Sequence, residues 1–341
     1  MTNPARISYA VLAVTLILVG ALKLGAPLLA LLFAYFVLTQ LSRFIPNKWF
    51  TFAIFIILVG AISYTAIHFT RAAIVALPKI ADNSIPSALA WAEAHNLQLP
   101  FTDFESLKAQ TIDAVKEQAH YLGNVANFAR HASTTIVFVL IAVVCAVSIF
   151  FNSELDLFRE THKVRNNLYS ALSDEITARF TEFYRSFSTV LGAQMTISAI
   201  NTVFTSVFVF AVQLPYAAVV IGLTFLCGLF PIVGNIVSNT VIVFVGFLVS
   251  PKVAIGALIF LVVIHKLEYF LNSKIIGNRI RNPIWMTLIG LILGERLMGV
   301  PGMILSPVVL NYLRVEMSKI EIAARPERVG QPAVDRSEPS S

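Results

Sequence analysis

Apolar residues fall in long blocks with little charge at 7–22, 25–41, 50–70, 134–151, 187–213, 216–231, 235–250 and 253–271, with shorter blocks at 284–294 and 299–313. A helix needs about 20 apolar residues to cross some 30 Å of hydrocarbon, and shorter blocks can pair within it as hairpins. The pattern predicts an all-α polytopic integral membrane protein with about eight transmembrane helices and broken or re-entrant hairpins at 215–250 and 283–313. Arg6 precedes the first block as in a secretory signal, but no small-residue cleavage site closes it and a second block follows directly. It reads as a retained helix.

The polar stretches between blocks divide the chain. Residues 1–70 carry the amino-terminal transmembrane helices, and 71–132 form a small extracytoplasmic helical domain. There Thr102 and Glu105 have capping-box spacing, Phe104, Leu107, Ile112, Val115, Ala119, Leu122, Val125 and Phe128 recur at helical intervals, and Pro78, Pro86 and Pro100 punctuate the approach. That domain is either a funnel for a partner or substrate or a hairpin packed on the bundle. Residues 133–151 cross again, and 152–186 mix acids and bases at helical spacing as a cytoplasmic helical hairpin. Residues 187–314 form the carboxy-terminal transport core, and 315–341 end in a Pro- and Ser-rich cytoplasmic tail expected to be disordered.

Composition agrees, at 57% hydrophobic and 13% charged. If the amino terminus is inside and each of the eight blocks crosses, sixteen of the 25 Lys and Arg fall inside and eight outside, with Lys266 in a helix. That excess places both termini on the cytoplasmic side of a multi-pass membrane protein. The net charge of +6 is spread thinly, which argues against a nucleic-acid partner. Cys145 and Cys227 both lie in apolar blocks, where a small buried side chain is the simplest role. The sequence holds no G-x-S-x-G, H-E-x-x-H, Walker A or Cys/His metal spacing, so no enzyme, cofactor or metal is expected.

Polar residues inside apolar blocks are costly in hydrocarbon, and each needs a helix partner or a wet cavity. Gln194, Ser198, Asn201 and Thr205 fall at i, i+4, i+7 and i+11 on one helix face, with Thr202 beside them. Such a stripe either coordinates a hydroxylated solute or makes interhelical hydrogen bonds of about 0.6–2 kcal/mol each. His265, Glu268 and Asn272 share another face, as a proton- or cation-handling group or as interface residues. GLFPIVGN at 228–235 puts Pro231 and Gly234 inside an uncharged run, either breaking a helix at membrane depth or turning it at the surface, with Asn235 and Asn239 as pathway neighbours. PYAAVVIG from Pro215 and PIWMTLIG from Pro283 echo one another. Each leads to a second break, the later one at Gly299, Pro301 and Gly302, and paired interrupted hairpins point to a transport site.

The carboxy-terminal half resembles the AI-2E family of bacterial membrane proteins. Carrying the resemblance are Gln194, Asn201 and Thr202, FPIVGN at 230–235, and KLEYFLNSKIIGNRIRNPIWMTLIGLILGERLMGVPGMILSPVV from Lys266 to Val309. Glu268, Gly277, Pro283, Gly290, Gly299, Gly302 and Pro307 stand at that pattern's positions, whereas His265-Lys266 and Ser273 depart from it. The resemblance implies transport across the bilayer, either export of autoinducer-2 or, as in other branches, exchange of sodium for protons.

Three functions follow. The first is a secondary transporter or facilitator exporting a small polar solute, with Gln194, Ser198, Asn201, Thr202, Thr205, Asn235 and Asn239 along the path and Glu268 coupling it. The second is an antiporter of a monovalent cation and a proton, in which His265 and Glu268 titrate, with Asn272 on the same face. The third is a scaffold that binds a partner through 71–132. Gly290, Gly294, Gly299 and Gly302 permit close helix contacts, within one protomer or between copies in a homo-oligomer.

Overall fold

A computed structural model of the chain describes residues 3–95, 125–152, 154–156, 164, 167–230, 233–275 and 283–320. Every regular element among the described residues is a helix: α1 (Asn3–Ala21), α2 (Gly25–Ser42), α3 (Lys48–Ala94), α4 (Val125–Phe151), α5 (Leu168–Ala211), α6 (Ala217–Gly228), α7 (Val233–Val249), α8 (Pro251–Ile275), α9 (Ile284–Met298) and α10 (Val300–Ser318). Five of these, α1 to α5, are long and apolar enough to cross a membrane.

Two helices run past the boundaries expected from the polar stretches. Asn47 starts α3, its side chain accepting from the backbone N–H groups of Trp49 at 2.9 Å and Phe50 at 3.3 Å. The helix then continues for 47 residues, through Arg71, Pro78 and Pro86 to Ala94. At 1.5 Å per residue that is about 70 Å, twice what a crossing needs. Residue 71 therefore marks no break. Packing explains the continuity, because Ala73, Ala76 and Ile80 are buried in the largest core, where neighbours support a helix that has lost two proline N–H groups. Residues 96–124, which hold Pro100 and most of the amphipathic pattern, lie outside the described residues.

Similarly, 168–186 are the first half of α5 and not the second arm of a separate hairpin. Asn167 caps it by accepting from the Ser170 N–H at 2.8 Å, and the helix runs 44 residues, about 66 Å, into the fifth apolar block. No proline or glycine interrupts it before Gly192.

Three apolar cores join the helices. Ala73, Ala76 and Ile80 of α3 pack with Val209 of α5 and with buried residues of α6, α7 and α8. Leu32 and Phe36 of α2 meet Phe183, Phe187 and Leu191 of α5 and Leu305, Val308 and Tyr312 of α10. Ala34 and Leu38 of α2 meet Phe55 of α3 and Ala146 and Phe150 of α4. Ile57 on α3, Val144 on α4 and Val207 on α5 remain exposed, as helices facing lipid require.

α6 is the short member. Its 12 residues extend about 18 Å, too little to cross, and it lies antiparallel along α5 before α7 folds back against it. At the other interrupted segment, Gly299 (φ 64°) turns α9 into α10. Gly294 and Gly302 face one another there so closely that a Cβ on either would strike the other's carbonyl. Gly25 of α2 lies against Met298, which sets the tip of this hairpin level with the α1–α2 turn.

Gly302→Val should therefore push α9 and α10 apart and cost about 1–3 kcal/mol, whereas Gly60→Ala, in open surroundings, should leave stability unchanged or raise it. Thermal unfolding of the two purified variants in detergent distinguishes them. Identical midpoints would overturn the close-contact account.

Candidate functional site

A helix that stops inside a bundle leaves its last four carbonyls without intrahelical donors. For α6 these belong to Phe225, Leu226, Cys227 and Gly228, and all four are accounted for. Leu226 accepts from the Leu229 N–H at 3.2 Å and Cys227 from the Phe230 N–H at 2.9 Å, as the chain tightens beyond the helix. The other two are met from α5: the Ser198 hydroxyl donates to the Phe225 carbonyl at 2.6 Å, and the Gln194 amide donates to the Gly228 carbonyl, also at 2.6 Å. Gly228 permits that approach, since a Cβ there would overlap the Ser198 side chain. Gly234, at the start of α7, likewise leaves room for the Cys227 carbonyl.

The polar stripe of α5 thus faces α6. Asn201 and Thr205 continue it as buried residues, and Thr202 beside it donates to the Ser198 carbonyl at 2.7 Å. Two of the stripe's members therefore make the interhelical bonds that were one of its two readings. The remaining sequence candidates lie elsewhere. Asn235 and Asn239 stand one turn apart on α7, and Asn239 shares a groove with Thr240, His265 and Lys266 between α7 and α8. The groove holds about 760 Å³ and is otherwise walled by Val243, Phe244, Leu258, Leu261 and Val262. Glu268 and Asn272 belong to α8, but their side chains lie outside the described residues, as does Pro231. Pro283 precedes α9 as its N-cap residue, and Gly299, Pro301 and Gly302 form the start of α10. Of the candidates, then, Gln194 and Ser198 meet at the end of α6, and Asn239 and His265 meet in the groove.

One cluster escaped the sequence reading. Glu316, 3% exposed, lies three residues beyond the apolar block ending at 313 and joins three helices. Its carboxylate accepts from the Tyr9 hydroxyl of α1 at 2.6 Å, from the Arg179 guanidinium of α5, and from Lys319 at 2.9 Å. Arg179 also pairs with Glu175 at 2.9 Å and stacks over the Tyr9 ring at 4.3 Å, while Lys319 reaches Glu182 at 3.0 Å. Burial opposes ionisation of Glu316, but the Tyr9 and Lys319 hydrogen bonds and the Arg179 charge outweigh it and hold the carboxyl below the usual carboxylate range. The local spacing, with Tyr312 at i−4 and Lys319 at i+3, was visible; the partner on α5, 137 positions away, was not.

A family model described as AI-2E family transporter matches residues 7–320. The chain belongs to the AI-2E transporter family. It is also similar to "Putative transport protein YdbI" of Bacillus subtilis (strain 168), 25% identical over 170 residues that make up 49% of each chain. The matched region thus spans about half the length of that relative. Membership agrees with a bundle whose helices expose apolar faces. The family match extends to residue 320, so it takes in the Glu316 cluster as well as the α6–α7 hairpin.

Two outcomes follow from the geometry. Removing the Arg179 guanidinium should leave the buried Glu316 carboxylate with only its Tyr9 and Lys319 contacts, so Arg179→Gln should cost about 1.5–3 kcal/mol in thermal unfolding, against about 0.6–2 kcal/mol for Gln194→Ala; a larger cost for Gln194→Ala would contradict the ranking. Because the folded Glu316 carboxyl titrates lower than in the unfolded chain, its contribution is complete above the ordinary value of 4.5 and is lost as pH falls through the lower, folded value. Wild-type melting should accordingly drop more steeply below that pH than melting of Glu316→Gln, and parallel pH profiles would sink the assignment.

Proposed function

We propose that this AI-2E family transporter is a secondary transporter or facilitator that exports a small polar solute, autoinducer-2 or a related hydroxylated metabolite. The α7–α8 groove carries this conclusion, because it gathers Asn239, Thr240, His265 and Lys266 on the faces of two helices that are otherwise apolar. Polar side chains on lipid-depth helices are expensive, and grouping them around about 760 Å³ of space gives them a common purpose. Asn235 sits one turn further along α7, toward the turn that follows α6. Short helices ending inside a bundle are a recurrent way of building transport sites near the bilayer centre. The excess of Lys and Arg on one side of the chain favours a bacterial inner-membrane location with both termini cytoplasmic.

Deleting 71–132 would not isolate the scaffold alternative. Ala73, Ala76 and Ile80 are core residues, so deleting 71–132 would damage the bundle together with any partner surface. For cation/proton exchange, the buried Glu316 is a poor proton carrier at neutral pH, since its partners favour the ionised form.

Purified protein in proteoliposomes loaded with furanones, organic acids or monovalent cations tests the proposal. Protein-dependent efflux of one polar solute is expected, reduced tenfold or more by Asn239→Ala combined with His265→Ala at unchanged melting temperature. Efflux unaffected by that pair would remove the groove from the route. A pH-dye response to a sodium pulse, without solute efflux, would replace export by exchange.

A further inference from the structure

The Glu316 cluster has unusual surroundings. Buried polar groups almost always find a hydrogen-bond partner. Yet among the described residues three atoms that lack one belong to α5 and α10, the helices this cluster joins: Arg179 Nε, the Ser186 hydroxyl and the Tyr312 hydroxyl. Arg179 and Ser186 are seven residues apart, so they fall on the same face of α5, the face that meets Tyr9 of α1 and Glu316 of α10. Tyr312 lies one turn before Glu316 on α10, 3% exposed, with its ring 5.5 Å from that of Phe183 on the facing helix. The α5–α10 seam is thus apolar at Phe183, Phe187, Leu305 and Val308 but carries hydrogen-bonding groups that its dry packing leaves unused.

A seam built only for stability would not contain them, because each costs free energy and a methyl or phenyl group would pack as well. They are useful when the two helices part and oxygen-bearing molecules enter. The α9–α10 hairpin, held together at Gly294 and Gly302, borders an apolar groove of about 480 Å³ lined by Leu16 and Ile17 of α1, so α10 has room to shift together with α9. Separation is opposed by the apolar packing of the seam and by the ionic knot, which ties α10 to α5 through Arg179 and to α1 through Tyr9.

We propose that the α5–α10 seam is a closed gate, latched by the Arg179–Glu316 pair, which admits water along Arg179, Ser186 and Tyr312 when α10, together with α9, shifts into the neighbouring groove. The gate rests on the transport reading only for its purpose; its opening is detectable without any solute. Opening exchanges the carboxylate and hydroxyl contacts of the knot for contacts to water, and closing restores them.

Thiol accessibility tests this in full-length protein in proteoliposomes, with Cys145 and Cys227 replaced by Ser. Ser186→Cys reports the seam, and Val245→Cys, fully buried in the α3–α8 core, reports general loosening. The probe is a membrane-impermeant cationic methanethiosulfonate. Glu316→Gln should raise the labelling rate at position 186 tenfold or more and leave position 245 protected. Equal protection at 186 with and without Glu316→Gln overturns the gate, and so does a parallel rise at both positions, which would make the knot a structural fastener. If Glu316→Gln does not reach the membrane, Tyr9→Phe removes one contact of the same carboxylate and should give a smaller rise confined to 186; no rise there also overturns the proposal. Labelling needs no transported solute, so a failed flux screen would count against solute export and leave this result readable.

Discussion

A helix cannot end inside hydrocarbon unless something supplies donors for its last carbonyls. The same need for donors holds where a helix ends against its neighbours, as α6 does against α5. α6 stops after 12 residues beside the middle of α5, and its four terminal carbonyls are met by two tightened backbone bonds and by the side chains of Ser198 and Gln194. Each interhelical bond contributes only about 0.6–2 kcal/mol, but a buried carbonyl left without a donor would cost about 1–3 kcal/mol. The cost of omission, more than the gain from the bond, explains polar residues on an apolar helix. Once the end of α6 is satisfied, α7 can turn back and bring Asn239 alongside His265 of α8.

The opposite end of α5 solves a different problem. Arg179, Tyr9, Lys319 and Glu316 draw three helices together by charge and hydrogen bonding where the apolar cores thin out. A buried ion pair adds little net stability over a hydrophobic contact, but it is costly to break from one side only. It joins α5 to α10 by charge beside the apolar packing of Phe187 and Val308. α5 thus links two polar arrangements: a capped helix end along its second half and an ionic knot along its first.

The region matched by the AI-2E family model contains both features and two interrupted hairpins. In α6–α7 the interruption is held open by side-chain caps. In α9–α10 it is a tight turn at Gly299, after which Gly294 and Gly302 bring the two backbones into contact. The same glycine- and proline-rich vocabulary therefore serves two ends, one making space for polar groups and the other removing it.

Sequence by itself determined the helical class, the membrane environment and the positions of the interruptions, because hydrocarbon thickness and backbone hydrogen bonding act locally and leave their mark in run length, Pro and Gly. It also revealed the stripe at Gln194, Ser198, Asn201 and Thr205, since helical periodicity alone puts those residues on one face. It did not reveal what the stripe faces, nor that α3 passes Arg71 unbroken and α5 begins at Leu168, because neighbours in space override proline and charge there. Glu316 looked like one charge in a polar ending. Only the tertiary structure could make it the centre of a network, by setting it against an arginine 137 residues earlier in the chain, a pairing that no local pattern encodes.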